Sequence, residues 1–234
     1  MDTYDFMKNA HAGIGVLALI TFWLSGMTRK GGAVHTASGK IYLLAMIGIL
    51  LSAAGMLAGF TERHHPVAAA FLGYLLVITG TSVWCSWRAI RDKHDWSAYT
   101  GTVFKLLLVL NGLSGLAIAY IGLFVTTQMQ AIITAFSLIG IANAVSMRRF
   151  AQTPPENPRW WLKEHFGAMI GNGVATHIAF LSIGLPKLLP MLSGPLLQNL
   201  AWLGPLSVSI GAGVYLNRKY MKPRKPSVNP MQTA

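Results

Sequence analysis

The chain has 234 residues, 53% of them hydrophobic and only 11% charged, with a formal net charge of +12. With a mean hydropathy of +0.48, this composition excludes a disordered chain and an ordinary water-soluble domain, and it points to an integral membrane protein. Cys85 is the sole cysteine, which excludes an intramolecular disulfide and any Cys-x-x-Cys metal or c-type haem motif.

Apolar runs of about 20 residues suffice to cross a bilayer core of about 30 Å as helices, and runs this long exclude barrel strands. Seven such spans are expected, at 9–27, 40–60, 67–87, 103–125, 128–147, 164–185 and 195–216. Span one follows Asp2 and Asp5 instead of a basic segment, so it reads as a retained helix and not as a cleaved leader. It carries His11 near its start, and Arg29, Lys30 and Lys40 follow it. His35 falls in the link before span two, and His64 and His65 fall in the link after it.

Span three leads into Arg88, Arg91, Lys93 and His94. Span four carries Asn111 and has Lys105 just inside its start; span five carries Asn143 and leads into Arg148 and Arg149. A link with Pro154, Pro155 and Pro158, which forbid a continuing helix, then brings Arg159 and Lys163. Span six opens on Glu164 and His165 and carries Asn172, Thr176 and His177; span seven ends before Arg218, Lys219, Lys222, Arg224 and Lys225.

Basic residues thus cluster after spans one, three, five and seven, while the other side holds only Lys8, Arg63 and Lys187. Basic loops stay cytoplasmic. The expected fold is therefore an all-α integral membrane bundle of seven transmembrane helices, with the N-terminus outside and the C-terminus cytoplasmic. Residues 1–220 form its single domain, and 221–234 form a basic, disordered cytoplasmic tail. The excess charge implies anionic lipid at the cytoplasmic face, and no nucleic-acid partner.

Trp84, Trp87, Trp96, Trp160 and Trp161 gather on the basic side and read as an interfacial aromatic belt. Small residues recur four apart at Gly55 and Gly59, Gly167 and Gly171, Ser207 and Gly211, and Ser209 and Gly213. Close helix packing explains such pairs; a sharper reading has Gly13, Gly15, Gly167 and Gly171 making room for a flat ligand. The buried amides and hydroxyls Asn111, Asn143, Asn172 and Thr176 are expected to join helices.

Four of the seven histidines fall in or beside apolar spans, where an ionisable side chain marks a functional site. His177 follows His165 by twelve residues, about 18 Å of helix, so those two cannot share one metal. Depth instead pairs His11 with His177 near the outside and His35 with His165 near the inside. Neutral imidazoles suit haem iron, copper or zinc. Glu164 is the one carboxylate beside a proposed site; it would orient an imidazole or, the simpler reading, favour the positive start of span six. His64 and His65 read as solvated, and His94 has no assigned role.

The segment Lys30-Gly31-Gly32-Ala33-Val34-His35-Thr36-Ala37-Ser38-Gly39-Lys40-Ile41-Tyr42, behind a first span with His11, resembles a family of bacterial predicted membrane proteins. That family is a domain of unknown function with a first-helix histidine and an H-x-x-x-G-[KR]-[IV]-Y box. The resemblance covers residues 11–60, implies a multi-helix inner-membrane protein and implies no chemistry; the region from Glu164 to His177 departs from the pattern.

Three functions remain in view. The leading one is a histidine-ligated haem b or metal protein that passes electrons to a redox partner or quinone. The second is a non-enzymatic carrier or assembly factor with structural histidines and no cofactor. The third is a metal-dependent intramembrane hydrolase, disfavoured by the scarcity of carboxylates.

Overall fold

A computed structural model describes residues 3–62, 65–127, 129–191 and 194–221. Its elements are all helical: α1 (Thr3–Met27), α2 (Ala33–Glu62), α3 (Pro66–Arg91), α4 (Trp96–Tyr99), α5 (Thr102–Tyr120), α6 (Gln130–Gln152), α7 (Trp160–Ala179), α8 (Leu185–Leu188) and α9 (Pro195–Tyr220). π-helical turns at Ile121–Val125 and Phe180–Gly184 prolong α5 and α7. Among the described residues seven helices are long and apolar enough to cross a membrane, the sixth running unbroken from Trp160 to Leu188. The chain is a multi-pass membrane protein.

The helices outrun the apolar spans that mark them. α1 starts at Thr3 and α2 at Ala33, ahead of the expected 9 and 40, because a helix continues past its apolar core wherever nothing breaks it. Gly31, at φ +79°, supplies the left-handed turn between them. One consequence corrects the sequence reading: His35 lies in the first turn of α2, not in a link. The expected tail lies outside the described residues from 222 onward, as does His64.

α3 and α7 form the central pair. α3 packs on α2, α5 and α7, while α7 packs on α3, α9 and α1; α1 lies along α2, and α5 along α6. The basic links and the end of α9 form one end of the bundle, where Lys30 and Lys219 are close enough to repel. We call this the basic end.

Polar groups lock the central pairs, as backbone and side chains in lipid must find partners inside the protein. The fully buried Asn111 of α5 donates to Thr81 Oγ1 of α3 at 2.7 Å and to Leu107 O at 2.8 Å, and it accepts from Asn143 of α6 at 3.4 Å. Tyr74 of α3 donates to Phe136 O and accepts from Gly140 N at 2.9 Å, which ties α3 to α6. The amide joints match expectation for Asn111 and Asn143; the Tyr74 joint carries no sequence signal.

The aromatic belt needs correction. Trp160 is only 8% exposed and packs with Tyr99, Phe104 and Cys85, and Trp84, Trp96 and Trp161 pack against that cluster. Trp87 alone among the five is an exposed large side chain. Arg88 closes the cluster: it pairs with Asp92, lies over the Trp84 ring at 4.9 Å and donates to Ala98 O at 2.9 Å, fastening α4. Amphipathic rings satisfy a core and a membrane interface equally well, so composition alone could not separate the two.

Helix contact through small residues also falls elsewhere than expected. Gly55 meets Met7, and Gly171 meets Ser82, but Gly167, Gly211 and Gly213 have no neighbouring atom where a Cβ would sit. The tight positions include Gly140, where a Cβ would come within 2.9 Å of the Asn111 carbonyl and of the Tyr74 ring. Gly140→Ala should therefore push α6 off α3 and α5 and cost about 1–3 kcal/mol, read as a lowered midpoint of unfolding in detergent; Gly211→Ala should leave that midpoint unchanged.

Candidate functional site

Span six begins where the proline link ends, and His165, Asn172 and Thr176 share one helical face of α7. That face docks on α2 and α3. His165 Nδ1 meets the Ser86 carbonyl at 2.9 Å, Asn172 Nδ2 donates to Ser86 Oγ at 3.0 Å, and Thr176 Oγ1 meets the Tyr42 hydroxyl at 3.0 Å. Asn172 is fully buried, and its Oδ1 has no partner among the described residues.

His35 is held in the same manner from the other side. Its Nδ1 lies 3.0 Å from the carbonyl of Ser25, in the last turn of α1, where helix carbonyls lack an intrahelical partner. Lys30 donates to the same carbonyl at 3.0 Å and also reaches Gly26 O; burial and then the charge on Lys219 hold its ammonium below the usual lysine range. A carbonyl only accepts. His35 and His165 must therefore each carry a proton on Nδ1, which in the neutral ring leaves the Nε2 lone pair free. Neither Nε2 makes a hydrogen bond among the described residues. This is the anchoring that metal-bound histidines show: one nitrogen fixed on a carbonyl, the other presented.

His177 is different. Its Nδ1 meets Gly173 O at 2.7 Å, and its Nε2 accepts from Trp23 Nε1 at 3.0 Å. Both nitrogens are engaged, and the ring stands edge-on to Phe22 and Trp23. Spans one and six do touch, as pairing His11 with His177 requires. Yet the contact is made by Phe22 and Trp23, about 17 Å of helix from His11, and in this arrangement a ligand at His177 would have to displace Trp23. The structure thus gives the two histidines separate partners.

His11 Nδ1 meets Ser52 Oγ at 2.9 Å. The Ser52 hydroxyl lies 2.9 Å from Gly48 O; with its hydrogen spent there it accepts from His11, whose N–H also reaches the neighbouring Ile49 carbonyl. Glu164 is no partner of His165: Tyr99 OH donates to its Oε2 at 3.2 Å. Burial, with Cys85 and Glu164 close by, pushes the Tyr99 phenol far above its ordinary value, so it stays a neutral donor. His65 caps the start of α3 without a side-chain bond, and His94 is exposed in the link after α3.

A cavity of about 1660 Å³ runs between α1, α2, α3, α6, α7 and α9. His11 and Gly15 line it from α1, and Gly167 and Gly171 line it from α7; His35, His165 and His177 do not. Of the glycines singled out for a flat ligand, Gly15 and Gly167 face open space within it, while Gly171 is spent on Ser82. The anchors Ser25, Ser52 and Ser86 and the cap Trp23 were invisible to sequence reasoning, since every residue offers a carbonyl and only the fold selects which ones matter. Compared with protein-family models, with curated proteins and with solved structures, the chain matches none.

Histidine-labelled protein should show His11, His35, His165 and His177 in the Nδ1–H tautomer by nitrogen NMR. Trp23→Phe should shift the Nε2 resonance of His177 and leave the other three unmoved. A wild-type spectrum dominated by the Nε2–H tautomer would contradict the assigned hydrogen bonds.

Proposed function

We propose that this chain is a membrane-embedded protein that holds haem b iron, or another metal such as copper or zinc, through His35 and His165 and passes electrons. The observation that supports this most is the matched anchoring of the two imidazoles, each fixed through Nδ1–H on a carbonyl of a neighbouring helix and each with its Nε2 lone pair unspent. Bis-imidazole ligation asks for nothing more from the protein, and no carboxylate is needed. Such an iron would supply one-electron chemistry at a potential set by burial. The chain's own part is to hold the rings: Ser25 O and Ser86 O fix their tautomers, and Asn172 steadies Ser86 through its hydroxyl.

In the same reading the basic end faces the cytoplasm of a bacterial inner membrane and meets anionic lipid there, with the N-terminus outside. The pair would then lie near the cytoplasmic surface, within reach of a redox partner. A hydrolase gains no support, because among the described residues no three or more His, Cys, Asp or Glu side chains gather to hold a metal. A carrier of lipophilic small molecules is the second reading, and the cavity favours it.

Protein purified in detergent should show a Soret band that shifts on reduction, or one equivalent of metal by elemental analysis. His35→Ala and His165→Ala should each lose that signal, while His177→Ala and His94→Ala keep it. A colourless, metal-free wild type, or retention of the signal in both His35→Ala and His165→Ala, would sink the metal reading and leave the carrier.

A further inference from the structure

The metal reading makes no use of His11 or of the cavity it lines, and the two belong together. His11, half-buried, sits in the half of α1 away from the basic end, and Gly15 follows it by one helical turn on the same cavity wall. The Ser52 contact fixes the proton of His11 on Nδ1. Its Nε2 is therefore an acceptor, and a ligand that engages it must donate. Gly15 has no atom within 4 Å of where its Cβ would be, so beside that acceptor the wall is flat. The remaining wall there is apolar, from Leu19 of α1 through Ile49 and Ala53 of α2 to Leu72 and Leu75 of α3. A flat head with a hydroxyl hydrogen, carried on an apolar body, meets all three features.

We infer that this part of the cavity is a binding site for a lipid-soluble hydroquinone, its O–H donated to His11 Nε2 and its ring laid against Gly15. The hydrogen-bond direction and the flat wall select a planar hydroxyl compound; the choice of a hydroquinone among such compounds rests on the electron-transfer reading, which calls for a membrane-soluble redox partner. Lys8, on the same wall one turn before His11, pairs with Asp5 at 2.6 Å and is not assigned to the head group.

The test uses full-length protein in detergent and titrates a short-tailed hydroquinone against its dimethyl ether, which keeps the planar ring and the tail and lacks both hydroxyl hydrogens. The hydroquinone should bind saturably and about tenfold more tightly than the ether, the worth of one hydrogen bond. His11→Ala should erase that preference while leaving the ether affinity unchanged. Gly15→Leu, which fills open space and keeps His11, should weaken both ligands together and guards against a fold defect in the first variant. Equal affinity for hydroquinone and ether in the wild type, or a preference that survives His11→Ala, overturns the proposal. Because the readout is binding and not colour, a chain that shows neither a Soret band nor bound metal yet discriminates the two ligands refutes the metal reading alone.

Discussion

The structure depends on one constraint: in hydrocarbon, a polar group that leaves its helix must land on another part of the protein. α7 carries several such groups, and the constraint fixes how it rotates. With His165, Asn172 and Thr176 bound to Ser86 and Tyr42, the opposite face of α7, with Gly167, Val174 and Ile178, can only turn toward the cavity and α9. A greasy helix has no preferred rotation; a helix with three polar pegs on one face has one. The placement of α1, α2 and α3 around those pegs follows from the same requirement.

The constraint also sorts the histidines, which look alike in sequence. An imidazole has two nitrogens and, when neutral, one hydrogen, so a single carbonyl contact decides what the far nitrogen can do. His35, His165 and His11 are each held by contacts assigned to Nδ1–H and keep a lone pair on Nε2. His177 is held at both nitrogens, since Trp23 spends the lone pair. Depth, the criterion available from sequence, pairs His177 with His11; the hydrogen bonds instead give His177 a partner on each nitrogen, Gly173 O and Trp23.

Seven spans were legible because charge alternation and apolar length are independent signals that agree over the whole chain. The pairing of Asn111 with its neighbours was legible too, since a buried amide has few other uses. What could not be read is instructive. The helix start at Ala33, which brings His35 into α2, has no apolar mark. The tryptophans of the basic end resemble a belt by composition and form a core by packing, because α4, held by Arg88 and topped by Tyr99, closes over them. The contact between spans one and six could be imagined, but its level along α1 turns on Phe22 slotting over Gly173, a shape match that no pattern of single residues announces.

α1 links the two proposed sites. It carries His11 and Gly15 on the cavity wall, the Ser25 carbonyl that orients His35, and Trp23, which takes His177 out of play. It is also among the less buried spans, held along α2 and touching α7 through Phe22 and Trp23. A rigid helix transmits a tilt along its whole length. The Ser25 carbonyl that fixes the Nδ1 proton of His35 thus lies ten residues along the same helix from the Gly15 wall, so the place of α1 against α2 sets the geometry of both.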